Sequence, residues 1–223
     1  MEMMPFSVGA ERDRIVAIPT ISTHPPAENA EWPQWRSIVP TLAHRTARLR
    51  ELRSSDALPL LSMLTTEEVT RFISPPPVTQ EGFEKFIHWS RTRRQAGEYI
   101  CFGIVPPGYD VAVGIIQIQI PCGETPEWGF ALGSPFWGTG LFMQGAEAVL
   151  DFAFRGIGLE ELCARAAVEN GRGNAVLRKL GAVREGIIPD GLVRNGRVMN
   201  QCYWTLSADG RPRRKVIWEG AVH

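Results

Sequence analysis

Between Arg45 and Arg53 apolar and charged residues alternate, the period of a strand with one wet face. Ser54-Ser55-Asp56 then offers capping groups for a short helix through Leu64. Thr65-Thr66-Glu67-Glu68 has the spacing of a capping box for a second helix ending near Ile73. Pro75, Pro76 and Pro77 force an extended break. Thr79 opens a third helix, where Phe83, Phe86, Ile87 and then Arg91 recur at helical spacing. Two strands, Glu98 to Val105 and Val111 to Ile120, flank a hairpin-like turn at residues 106–110, and Gln117 and Gln119 give the second strand a polar face. A third strand runs from Glu127 to Leu132. A long helix from about Gly140 to Arg155 follows, burying Phe142, Ala146, Val149 and Ala153 and wetting Glu147, Asp151 and Arg155. The pattern continues with a strand from Leu162 to Val168 and a short helix from Asn174 to Leu180, stopped by Gly181. Strands Ala182 to Ile188 and Gln201 to Leu206 surround a loop at residues 189–196. The sum is a mixed α/β domain: one twisted sheet with helices on both faces.

The stretch from Trp128 to Ala146 organises the rest. It leaves a strand, breaks at Gly133-Ser134-Pro135 and passes through Gly138-Thr139-Gly140 into a helix. Two glycines at a helix mouth let the backbone approach a ligand closely, and the first N–H groups of that helix have no partner inside it. Such a turn suits phosphate. A dinucleotide fingerprint needs a third small residue where Met143 stands, and no Gly-Lys-Ser or Gly-Lys-Thr occurs. What remains is strand, phosphate turn, helix, strand, Glu169-Asn170 and a helix ending at Gly181. With Glu127-Trp-Gly-Phe, Phe136-Trp-Gly-Thr-Gly and Val176-Leu-Arg-Lys-Leu-Gly-Ala-Val-Arg-Glu-Gly186, this order resembles the GNAT superfamily of N-acetyltransferases, most closely its RimJ/RimL-like ribosomal-protein branch. The likeness runs from about Thr46 to Leu206. It implies a single domain whose mostly antiparallel sheet is splayed at an acetyl-CoA site.

The resemblance implies a cofactor arm lying along Phe130, Ala131 and Leu132, with a backbone N–H there serving the oxyanion. It places the pyrophosphate on the turn at Trp137, Gly138, Thr139, Gly140 and Leu141. It implies that Asn170 hydrogen-bonds the pantetheine; the plainer reading is an Asx turn. Asn174 either contacts the cofactor or caps its helix. Glu127 is the candidate catalytic residue, because the branch places an acid at this strand start, facing the acceptor. Alternation puts it on the same face as Ala131; the alternative is a solvated glutamate after a proline. Arg172 is either a phosphate contact or an ordinary wet arginine. Where the superfamily often has a tyrosine donor stands Leu177, and where the branch often has a serine stands Gly173, so neither proton donor is present. Tyr203 and Cys202 are remote substitutes.

Composition narrows the classes. At 223 residues with 44% hydrophobic content, one core with extensions is expected, and no apolar run reaches membrane-spanning length. A formal net charge of +0 argues against a stable nucleic-acid binder. The start lacks the features of a secretory signal, and Cys101, Cys122, Cys163 and Cys202 lack metal-type spacing. A cytoplasmic protein without a metal is the expectation. Residues 1–44, with six prolines, form an extension; 45–207 form the domain; 208–223 form a basic tail. Trp32 and Trp35 should bury against the domain or a second subunit, which makes a homodimer one expected assembly. Three function classes are open: acetyl-CoA-dependent transfer to a primary amine (a protein N-terminus or a small molecule), a non-catalytic CoA-binding regulatory module, or another α/β fold holding a different phosphate ligand.

Overall fold

A computed structural model describes residues 32–209 and 216–219. Nine strands form one sheet in the order β7-β8-β6-β5-β4-β3-β2-β1-β9. In chain order they are β1 (Thr41–His44), β2 (Ala47–Glu51), β3 (Tyr99–Val105), β4 (Gly114–Gln119), β5 (Glu127–Leu132), β6 (Glu161–Ala167), β7 (Val183–Arg194), β8 (Arg197–Ser207) and β9 (Ile217–Glu219). Every neighbouring pair is antiparallel except β5 with β6, which pair in parallel at Glu127 and Cys163 alone. The central strands are therefore joined at one end and open at the other.

Helices cover both faces. On one side α1 (Ala57–Leu64), the single turn α2 (Glu67–Thr70) and α3 (Gln80–Ala96) press Leu60, Leu64, Phe83, Phe86 and Ile87 onto Tyr99, Cys101, Ile115 and Ala131. On the other, α4 (Leu141–Asp151), its wider π-type continuation through Ile157 and α5 (Gly171–Lys179) pack Ala146, Val149, Phe152 and Leu177 over Ile116, Trp128, Leu162 and Trp204. Each fully buried side chain of this size contributes about 1.5–3 kcal/mol. Thr79 caps α3 by accepting from the Gly82 N–H at 3.0 Å. Asp56 stands at the start of α1 but makes no side-chain bond to that helix. It is fully buried, bonded twice to Arg50 at 2.8 and 3.0 Å, and accepts from the N–H groups of Arg53 and Ala112. Burial opposes its charge, but these donors outweigh burial and hold its carboxyl below the usual range. One aspartate thus clamps β2, α1 and the β3–β4 loop together.

Several sequence expectations are corrected. The expected boundary at residue 44 falls inside a hairpin, because Thr41–His44 pairs with β2; the apolar Leu42 of that short strand is fully buried. Trp35 is buried in the same core and Trp32 donates its indole N–H to Ile38 O at 3.0 Å, so both lie against the domain itself. The expected tail supplies β9, antiparallel to β1; Arg211, Arg213, Arg214 and Lys215 lie outside the described residues. The capping box at Thr65–Glu68 does not form, since Thr66 caps α2 without a side-chain bond. The Asp151 side chain is 6% exposed and pairs with Arg155 at 2.9 Å, and Glu147 is mostly covered beside His44. The expected loop at 189–196 is instead the outer half of a long hairpin. Asn195 and Gly196, with φ of 50° and 73°, make its two-residue turn. Asn-Gly between branched apolar residues is the strongest short hairpin signal, and the Pro189-Asp190-Gly191 break hid it. The register shift between Ile188 and Leu192 absorbs that break, and Arg194 Nε then reaches Thr70 O of α2 at 3.0 Å.

Candidate active site

The site begins where β5 leaves β6. Cys163 N–H donates to Pro126 O at 2.8 Å and fixes the junction. Beyond it β5 stays paired only with β4, in a register that places Ile115 opposite Ala131 and Gln119 opposite Glu127. Gly133 N–H also bonds on the β4 side, to Val113 O. Alternation then assigns the peptide groups of Gly129 and Ala131 to β4 and turns those of Trp128, Phe130 and Leu132 toward the gap. Ala131 is thus corrected as a backbone partner for a cofactor: its peptide is taken, and its side chain packs under α1 and α3. Phe130 and Leu132 keep open-side groups, although Leu132 O accepts the Trp137 indole N–H at 2.9 Å. An extended ligand can add to such an unpaired edge as a further strand does.

At the far end of the gap the chain turns. Gly138 and Gly140 have φ of +77° and +83°, a conformation side chains disfavour. A Cβ built on Gly138 meets nothing within 4 Å. The first bond inside α4 is Gln144 N–H to Gly140 O, so the preceding N–H groups have no intrahelical partner. Thr139 Oγ donates to Phe136 O at 2.8 Å and accepts from Leu141 N–H at 3.3 Å. That weakens the assignment of Leu141, whose N–H already has a side-chain cap. Phe142 packs against Phe130 with ring centroids 4.4 Å apart and planes tilted by 44°, and Gln144 Oε1 accepts from Thr46 N–H, Thr46 Oγ and Ala47 N–H. These contacts fasten the start of α4 to the sheet. Across the gap, the Arg172 guanidinium lies 3.7 Å over the Trp137 ring, so this arginine stands beside the turn.

The two asparagines serve the fold. Asn170 Oδ1 accepts from Gly173 N–H at 2.9 Å and caps α5, which therefore starts at Gly171. A Cβ on Gly173 would stand 2.6 Å from the Asn170 side chain, so glycine at that position follows from the cap. Asn174 is buried, donates to Ala167 O and Asn170 O at 2.9 Å each and accepts from Trp204 Nε1 at 3.0 Å. Both ends of its side chain are used, which corrects its assignment as a cofactor contact.

Glu127 lies at the junction on the α1–α3 face, 8% exposed. Its Oε2 accepts from Arg165 Nη2 at 2.7 Å, and its Oε1 has no partner among the described residues. Burial pushes the carboxyl up to about 7 against the pull of that guanidinium. Cys163, its neighbour in register, is pushed by burial up to about 12, and burial raises Tyr203 as well. Both stay protonated at neutral pH. Leu177, where a tyrosine was sought, is packed in the opposite core and has no proton to give. Arg165 was missed by sequence reasoning. The signal was there: a lone charge within Leu162-Cys-Ala-Arg-Ala-Ala167, an otherwise small and apolar strand. Among the described residues no cluster of metal-ligating side chains occurs, and no helix is long and apolar enough to cross a membrane.

A buried carboxyl with one oxygen unpartnered among the described residues, an open strand edge and a glycine turn thus lie around one gap. The model of the acetyltransferase (GNAT) domain matches residues 47–183, more than half of the chain. The chain is 24% identical over 169 residues to the uncharacterized N-acetyltransferase p20 of Bacillus licheniformis, covering 74% of this chain and 95% of that one. RimJ of Mycobacterium smegmatis, solved in complex with CoA-disulfide, superposes with a TM-score of 0.72 at 19% identity, over 82% of this chain and 92% of its own. The ribosomal-protein-S5-alanine acetyltransferase of Vibrio fischeri does so with 0.68 at 19% identity, over 76% and 98%. Fold, motif order and sequence model converge: the chain belongs to the GNAT family of acetyltransferases, with RimJ/RimL-like enzymes among its structural neighbours.

Proposed function

We propose that this N-acetyltransferase moves the acetyl group of acetyl-CoA onto an α-amine, at a peptide N-terminus or on a small molecule, by direct attack on the thioester. In this reading the open-side groups of Phe130 and Leu132 hold the cofactor arm, and a backbone N–H there stabilises the oxyanion. The N–H groups of the turn at Gly138, Thr139 and Gly140 take the phosphates. Glu127 Oε1 accepts the amine proton, directly or through water. The N–C bond forms as the C–S bond breaks, and the sulfur departs as thiolate. A thiolate can leave unprotonated near neutral pH, so the replacement of a donor by Leu177 is compatible with turnover.

The observation that carries the reading is the buried Glu127 carboxyl, held by Arg165 at Oε2 with Oε1 unpartnered among the described residues and pushed up by burial to about 7. A base of this strength fits an α-ammonium, near 7.7–8.0, within about one unit, and a lysine ammonium, near 10.4, only across more than three. An RimJ neighbour held with CoA-disulfide and a neighbour named as an S5-alanine acetyltransferase support the cofactor and acceptor classes. The test is acetyl-CoA turnover on short peptides with a free N-terminus, against the same peptides N-terminally blocked and carrying one lysine. The free α-amine should be preferred by ~10-fold or more in kcat/KM. Preference for the lysine peptides would overturn the acceptor class. No turnover on any amine despite CoA binding would favour the alternative, a non-catalytic CoA-binding module, which the missing tyrosine and serine donors suggest.

A further inference from the structure

Arg165 is the only charged side chain of β6 after Glu161, and it projects on the face where Glu127 lies. The Glu127 side chain is 9% exposed and that of Arg165 28%, so the pair sits at the border between the core and the acceptor side. Only one guanidinium nitrogen, Nη2, meets only one carboxylate oxygen, Oε2. The Arg165 Nε is buried without a partner. A pair selected for stability would be expected as a two-pronged fork, as Arg50 and Asp56 make a few strands away. A buried pair is in any case weak evidence for a stability role. The other groups around Glu127 cannot replace Arg165. Gln119 and Gln117 of β4 and Gly129 of β5 are uncharged. Cys163 of β6 and Tyr203 of β8, which stands opposite Arg165 in register, are held protonated through the neutral range. Glu161, at the start of β6, adds the wrong sign. Arg165 supplies the cation that works in favour of the Glu127 carboxylate.

Building on the acetyl-transfer reading above, we propose that Arg165 is a positioning residue for that reaction: it holds Oε2 of Glu127 and leaves Oε1 free for the incoming amine, with its positive charge beside the carboxylate. Without it, burial acts alone and the carboxyl is neutral when the amine arrives. A lysine retains the charge but loses the planar donor geometry, so it preserves ionisation better than orientation.

The test titrates Glu127 in the full chain by NMR of carboxyl-labelled glutamate, using E127Q to assign the signal, in wild type, R165Q and R165K. The pH profile of kcat/KM is measured on the same proteins with acetyl-CoA and the best free-N-terminus peptide. The amine's own ionisation is common to all variants and cancels. The Glu127 midpoint should rise by one unit or more in R165Q and stay within about half a unit in R165K. The acidic limb of kcat/KM should move with it, and R165Q should recover part of its rate at high pH. R165M, which keeps the packing of the side-chain stem, carries the same comparison should R165Q fold poorly. A rate lowered by one factor at every pH, with the midpoint unmoved, overturns the positioning role while an impaired E127Q leaves the base in place. Wild-type turnover by E127Q overturns the base itself, and the role of Arg165 in transfer with it.

Discussion

Replacing Gly138 and Gly140 together by alanine tests the phosphate turn with magnitudes the geometry supplies. At φ of +77° and +83° each alanine adopts a left-handed conformation that costs about 1–2 kcal/mol. The pair therefore removes about 2–4 kcal/mol of stability, within the range of 5–15 that domains of this size hold. No steric collision adds to this, because the Cβ on Gly138 meets nothing within 4 Å and that on Gly140 meets only the Gln144 amide at 3.8 Å. In the proposed reading the methyl groups would instead occupy space that a pyrophosphate needs to reach the N–H groups. Losing one charge-assisted hydrogen bond forfeits about 1.5 kcal/mol or more, so CoA should bind at least ~10-fold more weakly. Gly196 provides the control: its φ is +73°, its Cβ also meets nothing within 4 Å, and it sits at the β7–β8 turn. G196A should show comparable backbone strain and unchanged CoA affinity. Calorimetric titration of CoA into the three proteins, with thermal melts alongside, reads both quantities. A folded double variant with wild-type affinity refutes the turn as a phosphate site. An equal affinity loss in G196A would trace the effect to general destabilisation instead.

Two further outcomes follow from the same contacts. N174A strands the Trp204 indole N–H and removes a second donor from the Ala167 and Asn170 carbonyls, which keep backbone N–H partners, so it should lower stability by about 1–3 kcal/mol, read by denaturant unfolding, while CoA affinity of the folded protein changes little; a large affinity loss at full stability would restore Asn174 to the cofactor site. The Glu127 carboxyl binds its proton more tightly folded, at about 7, than at its ordinary 4.5, so its contribution is greatest below the lower value and falls as pH rises through the window between them. Across that window wild type should lose about 3 kcal/mol relative to E127Q, and parallel stability curves for the two proteins would contradict the burial of this charge.

The fold was legible wherever period and punctuation agreed. β3, β4 and β5 follow from apolar or alternating runs between proline and glycine breaks, and α3 from its threonine cap and Phe83-Phe86-Ile87 stripe. The failures share a cause: the deciding partner was distant in sequence. Thr41–His44 is too short and too near Pro40 to read as a strand, and is one because Leu42 fills the core beneath α4. Asp56 looked like a cap, but its chief partner is Arg50 on another element. Asp151 looked wet at its place on the helix face, but it is covered and paired with Arg155. At the site the glycine turn stood out from local spacing, and Glu127 was singled out only by the resemblance. That Asn174 would be consumed by Trp204, and that Arg165 would select one oxygen of Glu127, depend on pairing across strands that no local pattern encodes.

The most direct measurement is the turnover of E127Q across pH with an acceptor that the wild-type enzyme acetylates. Glutamine keeps the shape and a hydrogen bond toward Arg165 but removes the charge and the basicity. If Glu127 takes the amine proton, kcat should fall by ~100-fold or more near neutral pH, CoA affinity should stay within about two-fold, and the residual rate should climb with pH as the amine loses its proton unaided. Turnover at the wild-type rate with the wild-type pH profile would contradict Glu127 as the base.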